Sequence, residues 1–176
     1  MSDFGILAFG AYVPVTRLQR SAIHATNAWF AGGLRGLASG EKAIANWDED
    51  SVTMAVEAAR DALEGIDRSA VQRVAIASTT LPFADRQNAG IVKEALNLPD
   101  AVGAIDIAGS QRAATSALPA ALGGNENTLV TATEIMTPKP ASEREMTSGD
   151  AAASIFVGTG TPIATQTSVA QTTSAS

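Results

Sequence analysis

A short apolar run, Ala104-Ile105-Asp106-Ile107-Ala108, stops at Gly109-Ser110, and small residues at helical spacing follow without a linker. A strand that turns directly into a helix is the repeating unit of a parallel α/β sheet. The turn also sets Gln111 at the start of a helix that the pattern predicts over 111–122. Unpaired backbone N–H groups and the helix dipole favour negative charge at such a place. It suits a low-pKa cysteine or a developing oxyanion. Gln111, an amide, cannot act as a nucleophile.

The rest of the chain repeats that alternation. Strands are expected over Phe4–Val13, Val74–Ala77, Val102–Ala108, Thr128–Thr133 and Ala151–Val157. Gly5 and Gly10 read as bulges in the first. A helix opens after Asp48-Glu49-Asp50-Ser51, with Val52, Val56, Ala59 and Leu63 on one face, and stops at Gly65. Another follows Asp85, with Ile91, Val92, Ala95 and Leu96 together. Strands alternating with helices predict an α/β fold built on a mostly parallel five-stranded mixed sheet. The glycine-rich stretch from Arg17 to Ile44 reads as a loop or a short helix pair. Pro119 lies inside the 111–122 helix, where an interior proline costs about 3 kcal/mol and should kink it. One domain is expected over 1–164. Residues 165–176 carry no charge and read as an edge strand or frayed tail.

Composition removes several classes of function. With 12 basic and 18 acidic residues, scattered along 176 positions, the chain has no basic face for nucleic acid. It has no cysteine, hence no thiol nucleophile and no thiolate metal site, and its one histidine predicts no metal centre. Asp48, Glu49 and Asp50 are read as helix-start residues rather than ligands, and Gly149-Asp150 as a tight turn. No leader peptide and no apolar run of roughly 18 residues is visible, so no membrane partner and a cytoplasmic address are expected.

Five landmarks, taken in order, resemble the N-terminal half of the thiolase superfamily, in the branch of hydroxymethylglutaryl-CoA synthase and ketoacyl synthase III. They are Gly5 to Pro14, the segment Asp48 to Ala55, Ala77-Ser78-Thr79-Thr80, Gly109-Ser110-Gln111-Arg112-Ala113, and Gly149-Asp150-Ala151-Ala152-Ala153. The resemblance implies a thiolase-type α/β/α layered half. It also implies acyl transfer on acyl-CoA or acyl-carrier thioesters, with no cofactor beyond the coenzyme A of the substrate. Expected partners are a chain carrying the C-terminal half or a catalytic paralogue, a thiolase-type dimer mate, and a zinc-ribbon/OB-fold companion.

Carried over residue by residue, the resemblance puts Gln111 at the cysteine nucleophile. It puts Thr79, or Thr80 if the register slips, at the glutamate that serves hydroxymethylglutaryl-CoA synthases as general acid and base. Neither threonine transfers a proton near neutral pH. The family's catalytic histidine and its asparagine or second histidine belong to the other half, and His24 matches none of them. A self-sufficient condensing enzyme is therefore not expected. Gln111 then either donates hydrogen bonds to a thioester or enolate oxygen or fills a pocket that has lost its reaction. Ser110 and Ser116 have no neighbouring base in the sequence and read as small packing residues. The resemblance also counts Arg112, at the elbow, among the substrate-binding residues, and Phe83, in Leu81-Pro82-Phe83-Ala84-Asp85, corresponds to a loop that reaches a dimer partner's acyl pocket. Trp29 and Arg144 correspond to residues that sandwich an adenine.

Overall fold

The computed structural model describes residues 3–170. Five strands form one sheet in the order β1 (Asp3–Tyr12), β7 (Ala151–Gly160), β6 (Thr128–Glu134), β4 (Arg73–Ala77) and β5 (Gly103–Ile107). β4 runs parallel to β5 and β6, whereas β7 runs antiparallel to β6 and to β1. Four strands thus share one direction and β7 opposes them, which is the expected mixed sheet. All five lie where the sequence pattern put them, within a few residues at the ends.

β4 is central. Val74 and Ile76 are fully buried on one face, and Ala75 and Ala77 are buried on the other. A parallel strand covered on both faces has this continuous apolar character. The first face carries α2 (Ser51–Ala62) and α3 (Asn88–Ala95), whose Val52, Ala55, Val56, Ala59, Ala89 and Val92 close the main core with Leu129 and Phe156. Asp50 caps α2. Its carboxylate accepts from the Thr53 N–H at 2.7 Å, while its own N–H donates to the Thr53 hydroxyl at 2.7 Å.

Gly5 and Gly10 are not the bulge, which falls between Ile6 and Ala8. A Cβ on Gly10 would stand 2.2 Å from the Ala62 nitrogen and 2.6 Å from the Ala58 oxygen, because the α2 backbone lies directly on the strand. Gly10→Ala is accordingly expected to cost about 1–3 kcal/mol through overpacking, read as a lowered urea midpoint at unchanged m-value. An unaltered midpoint would show that helix and strand separate freely.

The Arg17–Ile44 stretch is more ordered than its glycines imply. It forms β2 (Arg17–Gln19), α1 (Arg20–Asn27), a 3-10 turn and β3 (Glu41–Ala43), with β2 and β3 paired antiparallel. A short α5 (Glu143–Thr147) follows β6, and its Met146 packs fully buried with Ile23 and Leu34.

α4 (Ala113–Leu122) is the one α-helix on the second sheet face among the described residues. It starts two residues after the expected Gln111. Gly109 takes φ +83°, and the Ser110 hydroxyl accepts from the Arg112 N–H at 3.1 Å, so a turn holds Gln111 and Arg112 ahead of the first helical residue. The helix continues through Pro119 to Leu122. Only Ala113 and Ala117 of this apolar helix are buried. On the same sheet face Phe9 is 72% exposed and Ile105 is 45% exposed. At the sheet edge the Ile6 N–H donates to the Ala164 carbonyl at 2.8 Å, so the chain after β7 bridges back to β1.

Candidate functional site

In a parallel sheet whose crossovers leave on opposite faces, ligands bind outside the carboxyl ends of the strands. Here β4 leads through α3 on one face to β5, and β5 leads through α4 on the other face back past β4 to β6. The residues following those strand ends converge. Thr79 follows β4, Gln111 follows β5, Glu134 ends β6, and Arg144 comes from α5 just beyond. With Met136 and residues 147–149 they line one open cleft of about 500 Å³.

Two contacts define its chemistry. The Glu134 carboxylate accepts from the Thr79 N–H at 2.7 Å, the Thr79 hydroxyl at 2.9 Å and the Thr80 hydroxyl at 3.1 Å. It ties the ends of two neighbouring parallel strands and brings a carboxylate to the threonine positions. Across the cleft the Gln111 side-chain oxygen, turned toward Arg144, accepts from Nη2 at 2.6 Å and Nη1 at 3.3 Å. The opposite amide orientation would set N–H groups against N–H groups. The amide nitrogen then points away from the guanidinium.

The wall of the cleft is pinned from behind by Asp150, buried at the start of β7. Its carboxylate accepts from the Met136 N–H at 2.9 Å and the Ala45 N–H at 2.8 Å. Asp150 therefore does not close the tight turn expected at Gly149-Asp150: its carboxylate joins the β6 exit to the segment that leads into α2.

Other singled-out residues lie elsewhere. Trp29 is 85% exposed, with its ring 4.6 Å from that of Phe30, and does not line the cleft. Phe83 sits on the 81–87 loop beneath the Arg86 guanidinium, 5.1 Å from its ring, held by Asn88 rather than by the cleft. Arg112 borders a separate groove with Leu118 and the segment near Val169. His24 is on α1, outside the cleft. Ser110 caps its own turn, and Ser116 faces solvent on α4. No cluster of metal-ligating residues occurs among the described residues, and no described helix is long and apolar enough to cross a membrane. A more enclosed groove of about 280 Å³ lies between α4 and β5, at the amino ends of the strands. It is lined mainly by alanine and isoleucine, with the Arg73–Glu126 ion pair at 2.7 Å beside it, and offers no reactive group.

Sequence reasoning missed Glu134. A lone acidic residue at the end of an apolar strand is common, and its meaning comes from the neighbouring strand end at Thr79. The usable signal was the strand order, which places both residues at carboxyl ends.

Outside the cleft, the phenol of Tyr12 titrates above its ordinary value of 10.0. The hydrogen bond it gives Glu49 is the main cause, with desolvation and the Glu49 charge adding to it. Tyr12 is the single tyrosine, so an ultraviolet titration reads it alone. The expected midpoint lies above 10 and moves down in Glu49→Ala. Because the folded value is the higher one, this contact stabilises the fold at neutral pH and is lost as pH rises through that midpoint. An ordinary midpoint would break the assignment.

Comparison with known proteins agrees with this frame. The chain is 32% identical over 165 residues to the hydroxymethylglutaryl-CoA synthase of Pyrococcus furiosus, covering 90% of this chain and 46% of that protein. Among solved structures, MvaS in complex with 3-hydroxy-3-methylglutaryl coenzyme A matches with TM-score 0.76 at 23% identity, over 90% of this chain and 40% of that one. The priming β-ketosynthase of the R1128 polyketide pathway matches with TM-score 0.77 at 25% identity, over 92% of this chain and 52% of that one. The chain spans about half the length of each of these proteins, which fits an N-terminal half. No family model matches.

Proposed function

Because this chain belongs to the thiolase superfamily, in the group of hydroxymethylglutaryl-CoA synthase and ketoacyl synthase III, we propose that it is one half of a heteromeric acyltransferase-type protein that binds acyl-CoA or acyl-carrier thioesters, with Gln111 at the nucleophile position. The observation that carries this reading is the Gln111–Arg144 contact facing Glu134 across a cleft at the strand ends. The amide N–H groups of Gln111 hold the thioester oxygen, and they stabilise it further when it becomes an enolate. No covalent acyl intermediate forms on an amide. The compatible reactions make or break the carbon–carbon bond beside the thioester, or release CO₂ from a β-carboxyacyl thioester. In the last case the electron pair passes to the enolate oxygen and a proton then returns to the α-carbon.

The second sheet face supports the half-protein reading. α4 leaves Leu118 and Leu122 half-exposed, and Phe9 stands uncovered beside it. A partner half laid on α4 would bury that apolar face and could bring the histidine that the cleft lacks. A second reading, an interaction subunit that shapes a catalytic paralogue without chemistry, is favoured by the threonine at position 79. Native mass spectrometry of the protein from its source, followed by acyl-CoA titration of the species found, tests both. A complex with a histidine-bearing chain that binds acyl-CoA supports the acyltransferase reading. A complex that binds no thioester leaves the interaction subunit. A lone chain without thioester binding overturns both.

A further inference from the structure

We infer that Met136 is a modification site for peroxides, and that its sulfoxide draws Arg144 away from Gln111. The modification stands on the chemistry of the cleft wall alone. Its effect on ligands rests on the reading of the cleft as a thioester site.

Access singles Met136 out. The chain has no cysteine, so its methionine thioethers are the sulfur groups a peroxide can oxidise. Met54 and Met146 are fully buried, whereas Met136 is half-buried and lines the open cleft. Met1 lies outside the described residues. The backbone of Met136 is fixed there, because the buried Asp150 carboxylate accepts its N–H at 2.9 Å. In the reaction a sulfur lone pair attacks one peroxide oxygen. An S–O bond forms and the O–O bond breaks. The departing oxygen takes up the proton of the transferred one, and leaves as water from hydrogen peroxide or as an alcohol from an alkyl hydroperoxide. Sulfur is oxidised to the sulfoxide and the peroxide is reduced.

The neighbours of the sulfur give that product a consequence. Arg144 Nη2 lies 4.0 Å from the Met136 sulfur and 2.6 Å from the Gln111 oxygen. A thioether is a weak acceptor, so Nη2 serves Gln111. An oxygen bonded to the sulfur brings a polar acceptor within reach of the same N–H group, in a charge-assisted hydrogen bond. Among the described residues no carboxylate lies within 4.0 Å of the Arg144 guanidinium to compete. Glu134 is held by Thr79 and Thr80. Gln111 then loses the partner that fixes its amide, and thioester binding weakens.

The protein as isolated from its source is treated with dilute hydrogen peroxide and its peptides are mapped by mass spectrometry. Met136 is expected to gain an oxygen about tenfold or more faster than Met54 and Met146, which react only in locally opened molecules. In urea the three rates should converge. The Gln111 side-chain amide signals in nitrogen–proton NMR, identified by their loss in Gln111→Glu, should move on oxidation. They should not move when Met136→Leu or Arg144→Gln protein is treated. Acetoacetyl-CoA binding should weaken about tenfold on oxidation and recover with a methionine sulfoxide reductase. In Met136→Leu, peroxide should leave the affinity at whatever value that variant has beforehand. Equal oxidation of the three methionines in the folded protein, or Gln111 signals that stay in place, overturns the inference and leaves the thioester site standing. If the untreated protein binds no thioester, the functional reading fails, and the mapping and NMR results still decide this one.

Discussion

Asp106→Ala is expected to lower stability by about 3–4 kcal/mol, since each charge-assisted hydrogen bond it makes is worth roughly 1.5–3 kcal/mol and the losses do not add fully. Asp106 sits on β5 and reaches the first turn of α3. Its carboxylate accepts from the Asn88 N–H at 2.8 Å, the Asn88 side-chain amide at 2.8 Å and the Ala89 N–H at 2.7 Å. Asn88 and Ala89 are almost completely buried, so water cannot replace the lost acceptor. The helix dipole adds to the loss, because the carboxylate stands at the amino end of α3. Against a typical total of about 5–15 kcal/mol this is a large share.

The damage would travel toward the candidate site. Asn88 also binds the Phe83 carbonyl at 2.9 Å and the Phe83 N–H at 3.2 Å, so the 81–87 loop loosens with it. Urea unfolding of Asp106→Ala beside Glu57→Ala makes the comparison. Glu57 and Arg60 form an exposed ion pair on α2 at 2.6 Å, and breaking it should change stability by less than about 1 kcal/mol. If Asp106→Ala costs no more than Glu57→Ala, the buried cap is not what fixes α3 to β5.

Asp106 also shows where the sequence was readable. It interrupts an apolar run, and the alternation still marks that run as a strand. The five strands and the three longer helices of the sheet layers follow from periodicity, because burial on the sheet selects it residue by residue. The start of α4 was misplaced by two residues, since Ser110 and Gly109 make a turn that propensity alone reads as helix. Gly10 resembled a bulge because only the packed α2 backbone reveals why a side chain is excluded there. The β2–β3 pair was hidden by short strands among glycines. At the cleft, Gln111 was legible from the strand–turn–helix junction. Glu134 was not, because its partner Thr79 is 55 residues away and becomes adjacent only through the parallel pairing of β4 with β6.

Gln111→Glu is expected to weaken acyl-CoA binding by roughly 30- to 100-fold, the equivalent of about 2–3 kcal/mol. The substitution preserves size and shape. It replaces an amide that donates into the cleft by a carboxylate that only accepts. Arg144, 2.6 Å from the Gln111 oxygen, would bind the new charge in place of the ligand. The thioester oxygen would then face a negative group where it now faces N–H donors, and an enolate would be repelled. The fold should not suffer, because both side chains are exposed and the new ion pair is attractive. Gln111→Cys separates shape from chemistry in the opposite direction. It supplies a thiol where the superfamily resemblance expects one, with no base in the cleft suited to deprotonate it. Glu134 already spends its oxygens on Thr79 and Thr80. Incubated with acetyl-CoA, Gln111→Cys alone should therefore show no acetyl adduct by mass spectrometry, and an adduct should form only when a histidine-bearing half is present. Rapid self-acylation of the lone variant would mean that this half already holds a working base. Unchanged acyl-CoA binding by Gln111→Glu would mean that thioesters do not contact position 111 at all.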